Sequence, residues 1–186
     1  MQHLIGPSVK VLLIEDNEHF RRLIRAVLLT LGVTEVEEAQ DGVAALERLA
    51  FFSADLVICD WNMEPMDGVA FTQILRHADS PNRFLPIIMV TGYSEESLLA
   101  QARDVGVDEF LAKPITAQAL INTVVSVIHH RRPFVAGGAY FGPDRRKKTQ
   151  PWSGGVERRV TPPCSVMPDG QHTENESPHW EGAPKA

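Results

Sequence analysis

The chain has 186 residues, 18 Lys plus Arg against 24 Asp plus Glu (net charge −6) and a hydrophobic fraction of 44%. This composition excludes a wholly disordered, collagen-like or coiled-coil protein and fits one ordinary domain with an appendage. No apolar run approaches the roughly 18 residues of a membrane span, and the N-terminus has neither a basic n-region nor a small-residue cleavage site. No membrane span and a cytoplasmic location are therefore expected. Two cysteines, Cys59 and Cys164, are too few for a disulfide framework and lack zinc-type spacing; Cys59 reads as a small core residue.

After an N-terminal extension (1–8), the hydrophobic pattern alternates between strand and helix periods up to residue 130. Val9 to Ile14 is a branched apolar run that predicts a strand. Asn17 caps a helix whose Phe20, Leu23, Ile24, Val27, Leu28 and Leu31 recur at helical steps, and Gly32 stops it. A weak strand follows at Thr34 to Glu38, then a helix from Asp41 to about Ala50 with Val43, Leu46 and Leu49 inward. Leu56 to Cys59 is the third strand, Val69 to Arg76 the third helix and Pro86 to Val90 the fourth strand. Ser94 caps a fourth helix that runs toward Val105, with Gly106 as its stop. Glu109 to Ala112 is the fifth strand. The last helix runs from Thr116 to about His129, with Leu120, Ile121, Val124, Val125 and Ile128 on one face.

Beyond residue 130 the composition changes. Residues 1–130 carry 9 basic and 18 acidic side chains, whereas 131–186 carry 9 basic and 6 acidic. The second segment holds 8 of the 13 prolines and 7 of the 13 glycines, with no Leu or Ile. Lacking those side chains, it is expected to be a disordered tail, with the boundary at Arg131 to Pro133.

Five strand–helix units joined by short loops predict an α/β fold, a doubly wound five-stranded parallel sheet with right-handed crossovers and helices on both faces. In such sheets functional groups lie just beyond the carboxyl ends of the strands. Those ends carry Glu15 and Asp16 (first strand), Asp60 (third), Thr91 (fourth) and Lys113 (fifth). Three converging carboxylates repel one another unless a cation is present. With only hard oxygen donors, Mg2+ is the natural partner. One carboxylate can then act as a nucleophile toward a phosphoryl group, whose charge would meet the metal, the Lys113 ammonium and the Thr91 hydroxyl.

Glu15-Asp16, Asp60-Trp61-Asn62-Met63 before Met66-Asp67-Gly68, Val90-Thr91-Gly92 and Phe110-Leu111-Ala112-Lys113-Pro114 together resemble the receiver domain of bacterial response regulators over residues 9–130. The resemblance implies a flavodoxin-like sheet of order 2-1-3-4-5. It implies that Asp60 accepts a phosphoryl group from a phosphohistidine on a sensor histidine kinase or histidine phosphotransfer protein. Asp16 would bind Mg2+ directly, Glu15 through water, and Asn62 through its backbone carbonyl. Lys113 would contact the phosphate and Thr91 would swing toward it, with Phe110 as the aromatic switch. Output is expected by protein contact through the face of the fourth helix, fifth strand and fifth helix. Three departures from the commonest pattern stand out: Glu at the first acidic position, Met63-Glu64-Pro65 in place of Met-Pro, and a switch aromatic without a hydroxyl.

The tail contains an echo, Gly142-Pro143-Asp144-Arg145-Arg146 and Gly155-Val156-Glu157-Arg158-Arg159. Arg145, Arg146, Arg158 and Arg159 are candidates for gripping anions. No helix-turn-helix follows the receiver, so nucleic acid is not the expected partner. Two other readings are a nucleic-acid or anionic-surface binder controlled by phosphorylation, with the tail as output, and a sink that drains phosphate from a shared kinase. Aspartyl-phosphate phosphatases share the strand order, but no substrate pocket or lid is legible here, and an enzyme in that sense is not expected.

Overall fold

The computed structural model describes residues 5–92, 104–137 and 140–144, together with the backbone of 164–166 and 172–173. Five strands, β1 (Lys10–Ile14), β2 (Glu35–Ala39), β3 (Leu56–Asp60), β4 (Ile87–Thr91) and β5 (Glu109–Ala112), form a parallel sheet of order β2-β1-β3-β4-β5. The described helices are α1 (Glu18–Thr30), α2 (Gly42–Leu49), α3 (Gly68–Arg76) and α4 (Ala117–His129). The helix predicted from Ser94 falls mostly outside the described residues. Its predicted stop, Gly106, has a φ of +93°, a conformation open to glycine.

Each described helix starts at a side-chain cap: Asn17, Asp41, Asp67 and Thr116 accept hydrogen bonds from the first free N–H groups of α1, α2, α3 and α4. Alternate residues of the strands point to opposite faces and build two cores. Val11, Leu13, Leu56, Ile58, Ile88 and Val90 pack against α1 and α4, with Ile24, Leu28, Leu120 and Val124. Leu12, Ile14, Val57, Cys59, Ile87 and Met89 pack against α2 and α3, with Ala45, Phe71 and Leu75. All of β3 and β4 is buried, as a central parallel strand covered on both faces must be.

Two side chains expected inside are outside: Leu23 is 52% and Val43 40% exposed. In α1 the helical spacing allowed a wider stripe than the sheet covers. In α2 the buried positions are Gly42 and Ala45, which leaves Val43 on the outward side of the helix.

Within the segment expected to be a disordered tail, some of the described residues form strands. Phe134–Gly137 (β6) and Tyr140–Pro143 (β7) pair antiparallel, and β6 also pairs with Cys164–Val166 (β8), which pairs with His172–Thr173 (β9). Phe134 and Val135 are buried. Rings supply the apolar surface that missing Leu and Ile do not: Phe84, Phe134 and Phe141 form a triangle with centroids 5.3–5.5 Å apart. The Arg83 guanidinium lies 3.8 Å from the Phe141 centroid and that of Arg76 5.0 Å from Phe134. The hairpin is further held by an Arg132–Glu109 ion pair and by close approach of Gly142 to Gly106, where a Cβ on Gly142 would lie 2.7 Å from the Gly106 Cα.

Arg76 anchors this end. It is 6% exposed, and its fork donates from Nε to the Gly106 carbonyl (2.9 Å), from Nη1 to the Arg83 and Leu85 carbonyls (2.9 Å each) and from Nη2 to Asp108 Oδ2 (3.3 Å). Asp108 Oδ2 also accepts from the Ile87 N–H at 2.9 Å. Burial lowers Arg76 to about 10 and raises Asp108 to about 6, the attraction within the pair opposing both shifts.

Candidate functional site

Backbone pairing carries past the strand ends and fixes the groups that follow them. The Glu15 N–H donates to the Ala39 carbonyl (3.1 Å), the Trp61 N–H to Val90 (2.8 Å) and the Lys113 N–H to Thr91 (2.7 Å). Glu15, Asp60, Thr91 and Lys113 are thereby held at one edge of the sheet. Glu15, Asp60 and Thr91 are buried and Asp16 is exposed. Carboxylate oxygens of Glu15, Asp16 and Asp60 lie within 4.8 Å of one another.

Lys113 bridges two of them. Its Nζ is 2.8 Å from Asp60 Oδ1 and 3.1 Å from Glu15 Oε2, and 4.6 Å from the centroid of the Phe20 ring. Burial and the neighbouring Asp60 charge raise the Glu15 pKa, while Lys113 and the Asn17 N–H, which donates to Glu15 Oε1, pull it back. For Lys113, burial favours the neutral amine, but the hydrogen bonds and charges of Asp60 and Glu15 outweigh it and hold the ammonium above its usual range. The neighbouring Cys59 thiol is pushed well up by burial and then by Asp60, Asp67 and Glu15. It is a protonated core group rather than a nucleophile.

The loop after Asp60 is shaped by Gly68. A Cβ there would lie 2.3 Å from the Asp60 carbonyl oxygen, and the Gly68 N–H donates to the Trp61 carbonyl at 3.0 Å. Asn62 is exposed in this loop. Phe110, on β5, is half-buried and packs against the α2–α3 core. Arg145, Arg146, Arg158 and Arg159 lie outside the described residues.

The donor set fits a hard divalent cation: three carboxylates, no His or Cys ligand among them, and one ammonium that neutralises only part of the charge. Arg21 has a place here that periodicity gave no reason to suspect. Its Nη1 donates to the backbone carbonyls of Glu15 (2.6 Å) and Asp16 (3.2 Å). The only trace in the sequence is a basic residue one turn into the helix after an acidic pair.

Among the described residues no helix is long and apolar enough to cross a membrane. The family described as response regulator receiver domain matches residues 11–125. The chain is 37% identical over 112 residues to a chemotaxis protein CheY of Pseudomonas aeruginosa, covering 60% of this chain and 90% of the relative. It is 32% identical over 120 residues to the chemotaxis protein CheY-3 of Vibrio cholerae, covering 64% and 92%. Among solved structures, the chemotaxis response regulator CheY4 of Vibrio cholerae matches with a TM-score of 0.60 and 32% identity, over 64% of this chain and 98% of that one.

Proposed function

The chain belongs to the response regulator receiver domain family, a two-component signalling domain and not a conventional enzyme, and on that premise we propose that Asp60 is its phosphoacceptor. The donor is a phosphohistidine on a sensor kinase or a phosphotransfer protein. An Asp60 carboxylate oxygen attacks phosphorus, the P–N bond breaks as the P–O bond forms, and the imidazole leaves with the electron pair and takes up a proton. The product is an acyl phosphate on the protein. Glu15 and Asp16, with Asp60 and the Asn62 carbonyl, would hold Mg2+, which supplies neutralisation of the charge gathered around the transferred group. The Lys113 ammonium is positioned to exchange its contact with Asp60 for one with the incoming phosphoryl oxygens.

The observation that carries this reading is the clustering of three carboxylates, two of them paired with one ammonium, at the carboxyl edge of the sheet. Phosphorylation adds about 1.5 to 2 negative charges beside the Thr91 hydroxyl. Thr91 turns toward that charge, Phe110 follows, and the face of β5 and α4 changes for a downstream protein. Hydrolysis of the acyl phosphate resets the switch. The test is incubation with a small-molecule phosphodonor and Mg2+, read by intact mass and amide NMR. Wild type gains one phosphoryl group and shifts resonances along β4, β5 and α4; Asp60→Asn does neither. A mass gain that survives in Asp60→Asn overturns the assignment.

A further inference from the structure

Two neighbouring arginines on α1 differ in what they hold. Arg22 pairs with Glu18 one turn back, and both side chains are more than half exposed, an arrangement that contributes little. Arg21 is 17% exposed at its side chain and folds back beneath the turn that carries the acidic pair. Besides the two hydrogen bonds from Nη1 to the Glu15 and Asp16 carbonyls, its Nε donates to Glu38 Oε2 at 3.3 Å. The other oxygen of Glu38 accepts from Arg25 Nη1 at 2.9 Å. The guanidinium thus ties two consecutive peptide units of the β1–α1 turn to the end of β2, next to the backbone bond from the Glu15 N–H to Ala39.

This geometry acts on the backbone of the two residues whose side chains converge with Asp60. Bringing them together costs electrostatic repulsion, and a turn free to rotate would relieve that by splaying Glu15 and Asp16 apart. A rigid fork satisfied by two carbonyls and a carboxylate resists the rotation in a way a single ammonium cannot. Resting on the phosphoacceptor reading above, we propose that Arg21, held by Glu38, is a positioning residue that presents Glu15 and Asp16 to the divalent cation. It acts through the peptide units and touches neither metal nor phosphate.

The test is calorimetric titration of Mg2+ into the full chain for wild type, Arg21→Ala, Glu38→Gln and Arg22→Ala, with thermal melts to confirm folding. Supporting residues of this kind are worth roughly 10-fold in metal affinity. Arg21→Ala is expected to bind Mg2+ about that much more weakly, Glu38→Gln to fall between it and wild type, and Arg22→Ala to match wild type. Phosphorylation of Arg21→Ala by a small phosphodonor should be slow at limiting Mg2+ and recover near the wild-type rate at saturation. Wild-type affinity in a folded Arg21→Ala, or in Glu38→Gln should Arg21→Ala fail to fold, overturns the proposal. So does a rate deficit in a folded Arg21→Ala that persists at saturation. If wild type itself takes up no Mg2+, the acceptor reading fails and not merely the part assigned to Arg21.

Discussion

Lys113 is the one basic side chain in contact with both Glu15 and Asp60 among the described residues, and it sets the electrostatics of the pocket. Replacing it with Ala removes the donor that would meet the transferred phosphoryl oxygens. Losses for one such donor run to about 100-fold, and Lys113→Ala should slow phosphorylation by about that factor in a donor time course. The same change removes two influences that pull the Glu15 pKa down, so Glu15 should titrate at higher pH in the variant, readable by carboxyl NMR. Gly68 makes a steric prediction. A Cβ 2.3 Å from the Asp60 carbonyl forces the loop off α3, so Gly68→Ala should destabilise by about 1–3 kcal/mol in urea unfolding. Glu15, Asp16, Asp60, Thr91 and Lys113 were all legible as residues at strand ends, because a parallel sheet projects its loops from one edge. Arg21 was not, since its role depends on a side chain folding backward across a helix terminus, which no spacing records.

At the scale of elements, the Arg76–Asp108 pair joins the end of α3 to the start of β5. With Asp108 raised to about 6 from 3.8, the folded state binds more protons than the unfolded one between those values. The contribution of this group is therefore fully present below about pH 4 and is lost as pH rises through about 6, by up to about 3 kcal/mol. Urea midpoints measured across that window should fall for wild type relative to Asp108→Asn, which lacks the titration. Strand and helix order were readable from periodicity because each element has one buried face or is buried throughout. The outward Leu23 and Val43 escaped notice because a hydrophobic stripe says which side faces in, not how far the neighbouring layer reaches. The buried ion pair escaped for a related reason: Arg76 and Asp108 look like ordinary charges at a helix end and a loop until the fold brings them together.

The whole molecule extends beyond the family match at residue 125. β6 and β7 are packed on the receiver through Phe134, Val135 and the ring triangle. Burying a large apolar side chain stabilises by about 1.5–3 kcal/mol. Truncation after Arg132 should accordingly lower the unfolding free energy by about 3 kcal/mol or more, while Phe134→Ala alone should reproduce part of that loss; equal midpoints for truncated and full chains would contradict the packing. Counting aliphatic residues gave no sign of this hairpin because two phenylalanines after residue 131, one from the loop before β4 and two arginines together make a small core that composition averages dilute.

The hairpin meets Arg76 and Gly106, at the end of the sheet where β4 and β5 begin, whereas the carboxylates cluster where the strands finish. A label attached at Asp144 therefore sits at the pole opposite the entrance a donor imidazole must use. A dye or fused reporter placed there should leave that doorway uncrowded, so the protein can be tagged and charged at the same time.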